Sequence, residues 1–366
     1  MHPRIAHDDQ QHWTRRTNAG LTNTVSVAFR SLACVALVVA GCAAEPAVDD
    51  SSTPAESSVP LSGSSTSLVS FGPDTTSLGA FRSNEGQVVA SVFGGAFGPT
   101  PTLVLVGDTG EISRLPVAEP GCEYSYPSAG PGRAVLVTRT CLGTTRPTAV
   151  LIDSAGAERV VRDLGSISVR PVVASAREGA VMATDRNSGI CAAVTVLVNG
   201  QDRTRSLLQH VEGAEPESLS HRADECSDEP LVGFPAVSPD GRRIAVLVAP
   251  GDQDGSSRLN ARWLPRVVEV TSAESTEIDL PLVAPTSPSF SPSGDRLVLG
   301  GGPVTGRDLF VVDLRGEIER CESRLPDVSF VVWTSEDTLL VGSNSASGAE
   351  LFDVAISDLT CERLAD

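Results

Sequence analysis

Imidazole carries much of acid–base and metal chemistry near neutral pH, and this chain of 366 residues has five histidines. Three of them, His2, His7 and His12, precede an N-terminal apolar segment, which leaves His210 and His221 for the remainder. Carboxylates are plentiful, and two at a suitable separation suffice for glycoside hydrolysis. Their positions argue against it. Asp108, Asp153, Asp240 and Asp313 each sit between apolar runs in a short polar turn, where Asp hydrogen-bonds its own backbone. The sequence has no Gly-x-Ser-x-Gly elbow, no His-Glu-x-x-His pair and no Gly-rich phosphate loop. Gly251-Asp252-Gln253-Asp254-Gly255 alternates oxygen ligands like part of a calcium loop, but the closing bidentate Glu is missing, so an exposed loop is expected. Glu225, Asp228 and Glu229 beside His221 have the residue types of a metal site, but a solvated acidic loop tied down by Cys226 is the expected reading. Trp263 lies between Arg262 and Arg266 in RLNARWLPR (258–266), which suits an interface anchor or a cover for a sheet edge. The partner-binding candidates are therefore Arg262, Trp263, Arg266, His221, Asp228 and Glu229, and neither a metal nor a cofactor is expected.

Cysteine brings different chemistry. Ser31 to Cys42 follows Arg30, is apolar, is too short to span a bilayer comfortably and ends in small residues, the form of a signal peptide. Val39-Ala40-Gly41-Cys42 resembles the lipobox of bacterial lipoproteins, which implies acylation of Cys42 and cleavage just before it. Arg15 and Arg16 lie too far upstream to make a twin-arginine signal, and translation is expected to start nearer Val25. The following Ser/Pro/acid tract, residues 44–67, cannot bury enough apolar surface to fold. The organisation expected is a signal peptide over 1–41, a lipidated Cys with a disordered linker over 42–70, and a folded domain over 71–366. The six later cysteines, Cys122, Cys141, Cys191, Cys226, Cys321 and Cys361, suit an oxidising compartment and up to three disulfides.

Any functional side chain must be held by a repeated element. One unit is an aliphatic strand, a turn bearing Asp, Asn or Gly, and a more polar strand; its copies start at residues 103, 149, 194, 267, 309 and 351, at spacings of 46, 45, 73, 42 and 42. A second unit precedes it, clearest in FPAVSPDGRRIAVLV (234–248) and PSFSPSGDRLVLGG (288–301), weaker at 126–137, 170–184 and 330–342. Pro recurs four residues apart at 127/131, 235/239 and 288/292. Two hairpins in succession make a four-stranded antiparallel sheet, and six of these make a six-bladed β-propeller. The spacing of 73 holds an insertion around 208–234, too polar for a seventh blade.

The Ser238-Pro239-Asp240-Gly241 and Ser291-Pro292-Ser293-Gly294 turns, each followed by an aliphatic strand, resemble TolB-type propeller repeats of bacterial exported proteins. The resemblance implies a fold whose loop faces and channel mouth receive other molecules; TolB's own function is not implied, because the chain has no room for the extra N-terminal domain. The blade assignment brings Cys122 opposite Cys141 in one antiparallel pair and Cys191 near Cys226. By elimination Cys321 meets Cys361, although both then lie on outer strands of adjacent blades, an awkward distance for a disulfide.

All 28 basic residues are Arg. From Cys42 onward there are 24 of them against 44 acids, so nucleic acid is not an expected partner. These features together predict a monomeric, non-enzymatic binding or scaffolding module on the outer face of the cytoplasmic membrane, attached through its lipid and holding an envelope protein or glycan. The alternative is a carboxylate- or metal-dependent glycan hydrolase or lyase. The excursions at 208–234 and 251–266 are the expected contact surface, since loops on a rigid scaffold commonly carry binding.

Overall fold

The computed structural model describes residues 66–364, apart from several internal stretches of which 212–230 and 250–261 are the longest. The signal segment, Cys42, the linker before Thr66, Cys191, Cys226, His221, Asp228, Glu229 and the Gly251–Gly255 loop lie outside the described residues.

The chain opens with β1 (Thr66–Ser70). Blade 1 follows as β2 (Thr75–Arg82), β3 (Val88–Gly94), β4 (Gly98–Val106) and β5 (Ile112–Arg114). Blade 2 is β6 (Cys122–Ala129), β7 (Val135–Cys141), β8 (Thr148–Ile152) and β9 (Glu158–Asp163). Blade 3 is β10 (Val172–Ser175), β11 (Val181–Asn187), β12 (Ala192–Val198) and β13 (Gln201–Asp202), followed by α1 (Thr204–Leu208), the one α-helix among the described residues. Blade 4 is β14 (Leu231–Val237), β15 (Arg243–Ala249), β16 (Leu264–Glu269) and β17 (Ser275–Glu277). Blade 5 is β18 (Ser289–Phe290), β19 (Arg296–Gly301), β20 (Asp308–Asp313) and β21 (Ile318–Glu322). Blade 6 contains β22 (Val328–Trp333), β23 (Thr338–Ser345) and β24 (Gly348–Ala355), and β25 (Thr360–Arg363) is the last described strand. Every pairing within these sheets is antiparallel, and the six sheets form a six-bladed propeller, as the repeat predicted.

The continuous apolar runs follow from this arrangement. A strand sandwiched between two neighbouring blades is buried on both faces, so it cannot alternate apolar with polar. In β15, Ile244, Val246 and Val248 join the core shared with blade 3, while Ala245, Leu247 and Ala249 join the core shared with blade 5. In β19, Leu297 and Leu299 face blade 4 and Val298 faces blade 6.

Ring closure departs from the expectation. The hairpin pattern in LFDVAISDLTCERL made β25 the outer strand of blade 6, but that place is taken by β1, which pairs with β24 from Thr66↔Asp353 to Ser70↔Glu350. The first described strand thus starts at Thr66, ahead of the boundary at 71 expected for the propeller. Val69 and Phe71 are the reason: both are buried, in a core with Leu351, Ala349 and Val106. Displaced from blade 6, β25 becomes a fifth strand of blade 5 with Cys361 directly opposite Cys321. The two cysteines are bonded, on neighbouring strands rather than on separate blades, which removes the distance problem. The Cys122–Cys141 disulfide forms across β6 and β7 as expected.

Candidate functional site

The turns that carry the repeat are also what fix the blades to one another. In Ser238-Pro239-Asp240-Gly241 the Ser238 hydroxyl donates to Asp240 Oδ1 at 2.6 Å and accepts from the Arg243 amide at 2.9 Å, while Gly241 takes φ 71°. Burial opposes ionisation of Asp240, but the Ser238 hydroxyl, the Arg242 amide and the charges of Arg242 and Arg243 together hold its carboxyl below the usual range. Arg243, thus placed, donates to Glu269 Oε1 at 2.7 Å and to the Gly294 carbonyl at 2.9 Å on the turn of blade 5. One blade on, Arg296 reaches Glu336 Oε2 at 3.0 Å and lies 4.6 Å over the Trp333 ring.

A second set of contacts positions the innermost strands. The second strand of one blade holds the first strand of the next: Ser91 Oγ donates to the Tyr124 carbonyl at 2.6 Å, the Phe234 amide donates to Asp185 Oδ2 at 2.9 Å, and Asn344 bonds both the amide and the carbonyl of Ser77 at 2.9 and 3.0 Å. Each of these inner strands is bulged beside the contact, at 77–79, 125–128 and 233–236. Tyr126 and Phe234, both followed by Pro, have φ of 52°. Left-handed backbone at an aromatic residue is costly and persists where neighbours over-determine it. The bulge turns the inner strand so that the following residues face the ring centre.

The result is a central channel with a cavity of about 200 Å³, walled by all six inner strands. Pro127, Pro235 and Pro288 are tolerated there because the innermost strand of a blade is an edge, with no further partner needing its N–H. Of the five aromatic residues that border it, Tyr126 and Phe330 are half-buried, whereas Phe81, Phe290 and Trp333 are buried and belong to the cores between blades. Arg82 is the one charged side chain among the described lining residues. Its guanidinium is bonded to the Gly86 carbonyl at 2.8 Å and to Asp353. Ser128, Ser287 and Ser289 add hydroxyls.

Carboxylates gather instead in a cleft between the outer strands of blades 4 and 5, with Glu269, Glu277, Asp279 and Asp313 around Val267 and Ile278. Glu269 is engaged by Arg243, Glu277 by Arg266 and Asp313 by Arg315. The Arg315 guanidinium, then its amide, hold the Asp313 carboxyl below the usual range, the opposite of what a general acid needs. Glu319 stands near Cys321 and Cys361, but both sulfurs are in the disulfide and offer no thiolate to a metal.

Of the partner-binding candidates that are described, Arg262 alone is exposed. Trp263 is 0% exposed: it pairs with Leu282 and meets Phe234 edge-on at 5.2 Å between ring centres. Arg266 is 8% exposed and paired with Glu277. A hot-spot anchor must be open to its partner, so the anchor reading of Trp263 and Arg266 is corrected: they support the blade 4 to blade 5 seam. The channel aromatics went unnoticed in the sequence, where they are scattered from 81 to 333. The traceable signal was Pro127, Pro235 and Pro288 at matching repeat positions.

No protein-family model and no curated protein sequence matches the chain. Among solved structures, it is similar to the GH93 α-L-arabinofuranosidase of Fusarium graminearum complexed with arabinobiose, at 10% identity and TM-score 0.51 over 81% of this chain and 99% of that one. It is also similar to TolB from Acinetobacter baumannii, at 14% identity and TM-score 0.43 over 78% of this chain, and spans only 56% of that protein. A putative TolB from Agrobacterium tumefaciens gives 14% identity and TM-score 0.47 over 70% of this chain and 84% of that one. At such identities the likeness concerns fold alone.

Proposed function

We propose that the propeller is a non-enzymatic binding module, anchored at the outer face of the cytoplasmic membrane through an acylated Cys42, which receives an envelope protein or glycan at the mouth of its channel. The observation that carries this reading is the wall itself: apolar residues and prolines with the half-buried rings of Tyr126 and Phe330, and Arg82 alone charged among the described lining. Such a wall offers shape, apolar contact and flat rings for stacking. Bond cleavage by paired carboxylates would need two of them facing one another across the site, and the described wall supplies none.

A photoreactive phenylalanine analogue in place of Phe330, in full chains on intact cells, is expected to give a discrete adduct that the same analogue at exposed Leu142 does not. Equal adducts from both positions would remove the channel from the proposal. Cys42→Ala is expected to release the chain from the membrane fraction or to leave an uncleaved precursor; a variant that stays membrane-bound and correctly cleaved would end the lipid-anchor reading.

A further inference from the structure

The described fold is entered through β1, and the strand register fixes the side from which the chain arrives. Thr66 pairs with Asp353, Asp353 with Leu340 and Leu340 with Val332, one row across blade 6 from its rim to the channel wall. Neighbouring strands stand about 4.8 Å apart, so this row is roughly 14 Å long. β1 is antiparallel to β24, so the chain comes to Thr66 from the end of the blade where β24 finishes, opposite Thr338 and beside the turn from β22 to β23. The turns of blades 4, 5 and 6 share that face, because Arg243 donates to the Gly294 carbonyl and Arg296 to Glu336. The cavity reaches the same face: Pro239, inside the turn of blade 4, and Trp333, the last residue of β22, both border it. The approach to Thr66 and the channel mouth therefore lie on one side of the propeller.

The residues just upstream suit that mouth in reach, charge and size. Leu61 is the one leucine between Cys42 and Thr66, and it ends the apolar run Val59-Pro60-Leu61. An extended chain covers up to about 3.5 Å per residue, so the five steps from Leu61 to Thr66 span about 17 Å, enough for the row across the blade. Asp240, Asp295, Glu336 and Asp337 stand on the turns of this face, which disfavours the acidic stretch from Glu45 to Glu56. Residues 57–65 carry no charge. The cavity of about 200 Å³, bordered by Pro127, Pro235, Pro288, Phe330 and Val332, has room for a leucine side chain; an apolar cavity of about 150 Å³ already holds benzene. The polar groups of the wall are also engaged: Ser289 Oγ accepts from the Trp333 amide at 3.2 Å, and the Arg82 guanidinium is held by Gly86 and Asp353. An apolar occupant strands none of them.

We propose that the channel mouth holds a segment of this same chain, Val59-Pro60-Leu61, with the Leu61 side chain in the cavity, and that an outside ligand must displace it. Joined to the rim by a short connection, the segment acts at an effective concentration of order millimolar. A contact too weak to hold a free peptide then fills the site and still yields to a stronger ligand, and the same segment of a second copy has no such advantage. The displacement rests on the channel being a binding site; the occupancy does not.

The test uses the purified full chain with the photoreactive phenylalanine analogue at Phe330 or, as a second position, at Tyr126, irradiated with no other protein present. A crosslink within one chain to residues 57–65 is expected from these positions and not from exposed Leu142. Leu61→Asp is expected to reduce that crosslink at least five-fold with the melting temperature unchanged. On intact cells the same substitution is expected to raise the Phe330 adduct with an outside ligand several-fold, because the competitor is gone. The proposal fails if neither position couples to 57–65, if the crosslink joins two chains, or if Leu61→Asp leaves it as strong. It also fails if outside adducts form equally from the parent and the variant. Absence of outside adducts from both chains would overturn the channel reading instead, with the crosslink inside the chain still deciding whether the segment sits there.

Discussion

The seam between blades 4 and 5 and the closure at blades 5, 6 and 1 do the same mechanical job by different means. At the seam, one local motif repeats: a Ser-Pro-x-Gly turn sets an arginine, and the arginine grips the turn of the next blade. Where blade 6 meets blade 1 no such turn operates. A strand from the far end of the described chain, β1, completes blade 6, and the last strand is moved back to cover blade 5. Seams built from turns are redundant, so losing one contact is tolerable. Closure has one strand pairing, β1 with β24, beside the side-chain contacts of Asn344 with Ser77 and of Arg82 with Asp353, and loss of the pairing leaves the edge of β24 open.

Breaking the closure should accordingly give the largest effect. Removal of residues 44–65 is expected to leave the melting temperature nearly unchanged, whereas extending the deletion through Ser70 should abolish a cooperative transition by circular dichroism. Phe71→Ala should cost about 3–5 kcal/mol, the usual range for a buried Phe. Gly348→Ala is expected to fail similarly, because a Cβ there would stand 1.7 Å from the Gly72 carbonyl oxygen, at a backbone φ of 115°. An extended deletion that melts like the parent would show that β1 does not close the ring.

Next in size is the strap over blade 5. Replacing Cys321 and Cys361 together by Ser should lower stability by about 2–4 kcal/mol in chemical denaturation, from released chain entropy. The same change at Cys122 and Cys141 should cost slightly less, because the sequence separation closed is 19 residues rather than 40. A larger loss at Cys122 and Cys141 would mean that β25 is held by its hydrogen bonds and ion pairs alone.

Arg243→Ala, on the seam, should cost roughly 1 kcal/mol, since the pair with Glu269 is partly exposed and only the Gly294 carbonyl loses a fixed donor. A cost of several kcal/mol would make the seam as critical as the closure and erase the contrast between them. Acid is expected to produce the smallest effect. Asp240 and Glu336 have carboxyls held low despite burial, and Asp313 is held low by Arg315. A depressed folded-state value means that the stabilisation is complete above the ordinary carboxylate range of about 4 and disappears as pH falls through the lower folded values. The melting temperature should hence drop below about pH 4, and Asp240→Asn should flatten that limb; an unaltered limb would shift the acid sensitivity away from the Ser238 turn.

Much of this was legible beforehand for a specific reason. Strands buried on both faces must be continuous apolar runs, and their turns need Pro, Gly, Asp or Asn, so blade number and most hairpins can be read along the chain. The Cys122 to Cys141 pairing followed from adjacency within one hairpin. The functional surfaces were less legible. Trp263 carried the composition of an anchor, but burial against Phe234 and Leu282 depends on where blade 5 lies, and composition says nothing of that. The channel is built from residues some 250 positions apart, from Phe81 to Trp333, whose common orientation arises from bulges no residue type announces.

Local chemistry alone determined the repeat, the turn geometry and the all-β class, because each of these is settled within a few residues of backbone and side chain. Which strand closes the ring, which strand Cys361 meets and which aromatics border the channel were decided only by the tertiary structure. The physical reason is that the hairpin pattern offers β24 the strand next in sequence, whereas its partner is the distant β1, whose Val69 lies with Phe71 in the apolar core where blade 6 meets blade 1.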